Sequence, residues 1–278
     1  LNDVPPPAKA ALAAVQHVLA SIVGVATPSL IIGGALGLGV YTPYLIAMAF
    51  FVSGIATFIQ CKKIGPVGSG MLSMQGTSFA FLGAVLAAGF AVKGKGGTPE
   101  DILAMIFGLC LVGSLVEIVL SQFLDKLKRV ITPTVTGIVI TIIGLSLIKS
   151  GFTDFAGGAR AGEDLGKPIY LLLGGFVVAV ILVMTFIGKP MLRISAIMIG
   201  LILGTVVASF LGLVNWSSLG SAQFFALPIP FKYGIDFDFV LFVPIAFLYL
   251  VTAIETSGDL TANSVVSGEP VEGDLYMQ

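Results

Sequence analysis

The sequence predicts an all-α protein that crosses a membrane several times. Hydrophobic residues make up 56% of the 278 residues and charged residues only 10%, and the mean hydropathy is +1.05. Apolar stretches near the roughly 20 residues that a helix needs to cross a bilayer recur along the whole chain. These two observations place the chain in the lipid bilayer as a polytopic membrane protein.

Charge and cysteine content exclude several other classes. The net charge is −1, so bulk electrostatics suggests neither nucleic acid nor an anionic lipid surface as a partner. Cys61 and Cys110 are too few for a disulfide framework, and no metal-ligand cluster accompanies them. We therefore expect no metal and no other cofactor. No cleavable signal peptide is visible, so the first span is expected to direct membrane insertion.

Turn residues and charges divide the chain into about eight predicted spans. The longest connections, 150–168 and 214–236, are rich in Gly, Pro or polar residues and too short to be separate domains. In chain order, the predicted spans are 10–33, 41–60, 70–92, 101–122, 131–149, 169–188, 190–213 and 237–262.

The first span contains the only histidine of the chain, His17. A lone histidine in a span either forms a hydrogen bond between helices or has a direct functional role, and both interpretations stay open here. Thr27 and Pro28 follow ten residues later and predict a kink or an end of the helix.

The third span is too rich in Gly and small polar residues to be one uninterrupted helix, from 64 to 79 in particular. Non-helical backbone at membrane depth is tolerated only where it is buried in protein or lines a cavity. Transporters use such broken spans to aim half-helix ends at a substrate near the midplane. The alternative is a glycine-rich face that packs against a neighbouring helix.

Lysine and arginine favour a cytoplasmic amino terminus. In that orientation eight of these residues lie in cytoplasmic loops and six on the opposite side, mostly in longer loops where the positive-inside rule has less force.

The eighth span ends in two carboxylates. An uncharged apolar stretch, 239–254, leads into Glu255, and Asp259 follows one helical turn later on the same face. An acidic residue facing hydrocarbon costs roughly 2.5–3.5 kcal/mol, so such residues usually face a polar cavity and have a function there. The chemistry of the protein is predicted at this pair, although a packing hydrogen bond to a nearby Thr or Ser is an alternative role for Asp259.

Several segments in order along the chain carry a resemblance to a known family. The matching segments are Gln16 with His17, 68–73 leading to Phe79, 129–135, 144–149, 230–234, and Glu255 with 258–262. On these residues the sequence resembles the nucleobase-ascorbate transporters, also called nucleobase-cation symporters, and is most similar to bacterial xanthine and uric acid permeases. The resemblance covers essentially the whole chain.

The resemblance implies fourteen spans in two inverted repeats of seven, arranged as a core domain and a gate domain. The chain would then be truncated after span eight. Residues 1–125 would supply core spans one to four, 126–236 gate spans five to seven, and 237–278 the start of the second repeat with core span eight.

The resemblance also implies the residues of a substrate site. Glu255 matches a glutamate that hydrogen-bonds the substrate ring, and Phe79 matches an aromatic residue that lines the pocket. Ser78 stands where bacterial xanthine permeases often have asparagine, and a small hydroxyl residue there resembles relatives that also accept uric acid.

The resemblance implies that Glu255, Asp259 and His17 take part in proton coupling or in a polar network of the core, with His17 not itself carrying the proton. Asp259 falls where purine permeases have aspartate and uracil permeases tend to have histidine, and His17 matches a histidine that influences architecture and affinity. Two carboxylates one turn apart in a low-dielectric cavity can share one proton near neutral pH.

The function implied is proton-coupled symport of purine bases across the cytoplasmic membrane by alternating access. Xanthine is the first substrate and uric acid a second candidate, H+ is the coupling ion, and a homodimer forms through the gate domain. Alternatives are a uracil-type permease, or an anion transporter or channel of the same architecture, which Glu255 and Asp259 argue against. An intramembrane enzyme is disfavoured because the spans lack nucleophile-base and metal-ligand spacings.

Overall fold

The computed structural model describes residues 6–65, 67–121, 151–187, 195–216 and 227–268. Nine further positions are described singly or in pairs, namely 123, 138, 141–142, 144–145, 148 and 192–193. The predicted fifth span, 131–149, therefore lies mostly outside the described residues.

The described residues form helices connected by turns and extended segments, and contain no β-strand beyond one isolated bridge between Ile64 and Val67. A 3₁₀-helix, Phe79–Phe81, runs directly into α3, and a second one covers Ala159–Asp164. The α-helices with described bounds are α1 (Pro7–Leu36), α2 (Thr42–Lys62), α3 (Leu82–Gly94), α4 (Pro99–Ser121), α5 (Pro168–Phe186), α6 (Ala196–Phe210) and α7 (Phe239–Val266).

Five of these helices contain apolar stretches long enough to cross a bilayer, in α1, α2, α4, α5 and α7. The stretch from Phe79 to Gly94 and helix α6 are apolar but shorter. The all-α, polytopic membrane class predicted from the sequence is confirmed. Within the predicted seventh span, 190–213, the structure describes the helix α6, Ala196–Phe210, and helical residues at 192–193, whereas 190–191 and 194 lie outside the described residues.

The chain divides into two compact units, and the larger one contains the second part of α1 from Val25, α2, α3, α4 and α7. Helix α4 is central to this unit because it packs against both α3 and α7. The core of the unit is apolar and consists of Leu36, Leu38, Val85, Ala88, Val92, Ile102, Leu103, Met105, Ile106, Leu109, Phe242 and Ile245.

Close contact between α4 and α7 depends on a glycine. The ring of Tyr249 on α7 occupies the position that a Cβ atom of Gly113 would take, and the Tyr249 hydroxyl donates a hydrogen bond to the Cys110 carbonyl at 2.8 Å. The backbones of the two helices can approach because Gly113 has no side chain, as is common where membrane helices pack.

The second unit contains the first part of α1 up to Gly24 and residues that include α5 and α6. Helices α5 and α6 pack against each other, with Ile181 and Val177 of α5 lying over Gly200 and Gly204 of α6. Small residues again permit the close approach of two apolar helices.

Two expectations about backbone breaks have different outcomes. Of the predicted kink or end at Pro28, the end does not occur, because helix α1 continues through this proline to Leu36. A proline removes a single backbone donor, and membrane helices tolerate this where neighbouring groups compensate. The predicted break in the third span is confirmed, because 67–78 form no helix and the first regular turn starts at Phe79.

Candidate functional site

The candidate site is built around the non-helical segment 67–78, which leads into α3. The segment turns at Gly68 and Gly70, which have φ angles of 95° and 76°. A side chain at Gly68 would also collide with the Ile59 carbonyl of α2. Only glycine suits a position that combines positive φ with such a close backbone approach.

Three polar side chains of α2 contact this segment. The Gln60 side-chain amide donates to the Ser69 hydroxyl at 2.6 Å, and the Gln60 carbonyl accepts from the Gly70 N–H at 2.9 Å. At Gln75, the backbone N–H donates to the Thr57 hydroxyl at 2.9 Å and the carbonyl accepts from the Ser53 hydroxyl. The segment is therefore bound to α2 near both of its ends.

Helix α1 and Ser78 complete the path into α3. The Thr77 hydroxyl donates to the Val25 carbonyl of α1 at 3.0 Å. Ser78 has an extended backbone, and its hydroxyl accepts the Ala80 N–H at 3.2 Å. Ser78 is thus the N-cap of the 3₁₀-helix, a position for which serine is a preferred residue.

Phe79 is the first residue of this 3₁₀-helix and is half-buried. Two residues later, the Phe81 ring lies 4.6 Å from the Tyr249 ring of α7, measured between centroids, in a tilted arrangement. The start of the helical part of the third span therefore packs against α7, the helix that carries the two carboxylates.

Helix α7 begins at a capping aspartate. The Asp238 carboxylate accepts the Val240 and Leu241 N–H groups at 2.9 and 3.2 Å, and it lies 3.5 Å from the Lys95 ammonium. These contacts lower the pKa of Asp238, with the Leu241 N–H as the strongest cause.

The two carboxylates lie in the later part of α7. Glu255 is half-buried, about 9 Å along the helix axis beyond Tyr249, and Asp259 is exposed one turn further. Residues four apart on a helix project from the same side, so the two carboxylates lie on one face of α7. Helix α4 carries another half-buried acidic residue, Glu117, which the sequence analysis did not assign to the site.

His17 lies in the part of α1 that belongs to the second unit, and its side chain is exposed. The ring Nδ1 lies 2.9 Å from the Ala13 carbonyl, one helical turn earlier. Because a carbonyl only accepts, Nδ1 carries the proton of this hydrogen bond.

The predicted site residues thus fall into two groups. The structure brings the helix start with Ser78 and Phe79 against α7, the helix of Glu255 and Asp259, within one unit. The roles of these residues, and that of His17, remain predictions.

Sequence reasoning missed the side chains that hold this arrangement together. Ser53, Thr57 and Gln60 share one face of α2 by their spacing, a signal that was present in the sequence. Tyr249 gave no such signal, because a tyrosine within an apolar span does not reveal which neighbour it contacts. Within the described part of the chain, no group of three or more His, Cys, Asp or Glu residues could hold a metal ion.

Comparison with known proteins gives a consistent family. A family model described as "Permease family", with the short name Xan_ur_permease, matches residues 8–278. The xanthine permease XanP of Escherichia coli K12 is 42% identical over 282 residues, which cover 100% of this chain and 61% of that protein. XanQ of the same strain, also a xanthine permease, is 40% identical and covers 99% and 60%.

A more distant relative is the uric acid permease PucK of Bacillus subtilis 168, which is 33% identical over 87% of this chain and 55% of its own length. The chain thus spans about three fifths of the length of the xanthine permeases that it matches. The match places it among permeases rather than enzymes. Because the family model matches residues 8–278 and the similar proteins are xanthine and uric acid permeases, the chain belongs to the nucleobase-ascorbate transporter family.

Proposed function

We propose that the complete protein carrying this chain is a proton-coupled symporter that imports purine bases by alternating access, with xanthine as substrate and uric acid as a second candidate. The names of the similar proteins support this: XanP and XanQ are xanthine permeases, and PucK is a uric acid permease. The observation that carries the proposal is the packing of a helix start, capped by Ser78, against the helix of Glu255.

This arrangement suits a planar heterocycle with N–H donors. The Glu255 carboxylate would accept two N–H groups of the base, and such charge-assisted hydrogen bonds are the strong kind. Phe79 would contact the flat face of the base, and stacking of this type contributes about 1–3 kcal/mol per base in other binding sites. Ser78 would leave room for the additional oxo group of uric acid.

Proton coupling would use the carboxylates of α7. Glu255 and Asp259 lie one turn apart on α7, and a single proton would be shared between them. In this mechanism protonation of the pair permits substrate binding, and His17 influences affinity. The core domain, 1–125 with 237–278, would then move against the gate domain, 126–236.

The membrane location and the orientation of the chain are part of the same proposal. The apolar helices support a multi-pass membrane protein. We propose that it lies in the cytoplasmic membrane with the amino terminus inside, as the lysine and arginine distribution favours. A homodimer through the gate domain is part of the same proposal.

The experiment that tests this function is initial uptake of labelled xanthine by the complete protein, in cells that lack purine permeases. Uptake should be inhibited by excess uric acid and by a protonophore. Uptake of labelled uracil without uptake of xanthine would favour a uracil-type permease. If verified membrane expression gives no purine-sensitive uptake, the purine proposal is wrong, and an anion transporter of the same architecture becomes the better hypothesis.

A further inference from the structure

Helix α2 has one polar face, formed by Ser53, Thr57 and Gln60 and here called the α2 polar face. These residues follow each other at intervals of four and three, so they project from one side of the helix. Val52 comes directly before Ser53, and Ile55 and Phe58 lie between the polar residues in sequence. Each of these three apolar side chains is about half exposed on the remaining surface of α2. The polar side of this membrane helix is therefore narrow, and it coincides with the contact to segment 67–78.

Hydroxyl groups in membrane helices usually bond to a carbonyl of their own helix. Thr185 on α5, Thr205 on α6 and Thr252 on α7 do so, each with the carbonyl four residues earlier, at 2.7, 2.8 and 3.1 Å. The hydrogen bonds recorded for Ser53 and Thr57 instead go to the backbone of Gln75. These two hydroxyls serve another segment rather than their own helix.

Both polar groups of the Gln75 backbone, the N–H and the carbonyl, form hydrogen bonds to α2. Thr57 accepts the N–H while Ser53 donates to the carbonyl, so the peptide groups around Gln75 have a defined rotation relative to α2. At the other end, Gln60 binds Ser69 through its side chain and Gly70 through its carbonyl. A shift of the segment by one residue would break all of these bonds.

Gln75 lies three residues before Ser78 and four before Phe79. Thr77 is fixed to α1 within this short connection, which leaves little freedom between Gln75 and the N-cap. The point at which Gln75 is bound to α2 therefore determines where the 3₁₀-helix that leads into α3 begins, and where its first residues lie.

We propose that the α2 polar face is a positioning element for the substrate site: Ser53, Thr57 and Gln60 fix the register of 67–78 and so set the placement of Ser78 and Phe79. These residues touch no substrate in this view and act through the segment. The inference rests on the proposed function, because it assigns these residues to the affinity of the same site.

Substitution of Thr57 is the sharpest test, because valine has nearly the same shape but no hydroxyl. Thr57→Val leaves the Gln75 N–H without its acceptor, and we expect the KM for xanthine to rise about tenfold, as for loss of one partly buried hydrogen bond. The maximal rate per transporter should change little. Thr57→Ser keeps the hydroxyl and should restore the KM.

The matched control is Thr205→Val, which removes a hydroxyl that bonds only within α6. All variants are made in the complete protein, and the initial rate of xanthine uptake is measured against concentration, normalised to the amount in the membrane. The inhibition constant for uric acid is measured alongside, because a displaced Ser78 should change the ratio between the two purines. Thr205→Val should keep the wild-type KM and ratio.

A Thr57→Val protein with wild-type KM and an unchanged ratio would overturn the inference alone. A loss of maximal rate or membrane amount without a change in KM would also overturn it, because that pattern indicates only a structural role. If Thr57→Val does not reach the membrane, Ser53→Ala decides by the same criterion. Absence of xanthine uptake by the unmodified protein would overturn the proposed function, and the inference with it.

Discussion

Segment 67–78 and helix α7 both belong to predicted membrane spans, but their backbone groups find partners in different ways. In α7, Phe239–Val266, most backbone groups bond within the helix; Pro244 has no N–H, and in the first turn the Asp238 carboxylate accepts the Val240 and Leu241 N–H groups. In 67–78 the recorded backbone partners come from α2, from Ser69 and Met71 within the segment, and from Ile64 just before it.

The difference shows what each region contributes to a site in lipid. A continuous helix satisfies its own backbone, so its side chains, such as Glu255, are available for other tasks. A broken segment needs side chains from a neighbour for its backbone. The consequence of such a break is that the next helix begins within the unit, next to another helix. The proposed site draws on both kinds of region, and each can be tested separately.

Loss of the α7 carboxylate should give the largest effect. Glu255→Gln removes the charge that would strengthen two hydrogen bonds to the base, and we expect xanthine uptake to fall about 100-fold at equal membrane amounts. Glu117→Gln on α4 is the control, and it should retain most of the activity. Wild-type rate and pH dependence in Glu255→Gln would remove this residue from the site.

The placement of α7 should be sensitive to a smaller change. Gly113→Ala adds a methyl group where the Tyr249 ring lies, so either the ring or the helix must move. We expect this overpacking to cost about 1–3 kcal/mol, measured as a lower thermal midpoint in detergent. Gly83→Ala on α3 is the matched control, because a Cβ atom at Gly83 would meet no other group within 4 Å. Equal midpoints for the two variants would contradict the close α4–α7 contact.

The smallest effect is expected at the start of α7. The pKa of Asp238 is lowered by the Leu241 and Val240 N–H groups and by Lys95, so its contribution to stability is present above the unfolded pKa of about 3.9. The contribution is lost as the pH falls through the lower folded pKa. The thermal midpoint of Asp238→Ala should therefore lie below that of the wild type at pH 7, and the gap should close toward pH 3. A gap that widens on acidification would contradict this role.

Sequence patterns predicted the fold class, most of the helices and the break in the third span, because hydrophobicity and glycine content act locally. They did not predict that Gln75 is held by Ser53 and Thr57, since this pairing depends on how two segments meet in space. The sequence also left open whether Pro28 kinks or ends helix α1, because a proline signals a lost donor but the surroundings decide whether the helix continues. The contact between Phe81 and Tyr249 likewise depends on helix packing.

Ser78 has two roles, as the helix cap and as a candidate substrate contact, and this limits which residues can replace it as the substrate range evolves. Serine and asparagine are both good N-cap residues, so an exchange between them alters the side chain at the site while the start of the helix is kept. Alanine or valine would alter both at once. If substitutions at residue 78 change the preference between xanthine and uric acid, only the few side chains that can still cap the helix would be available for that change.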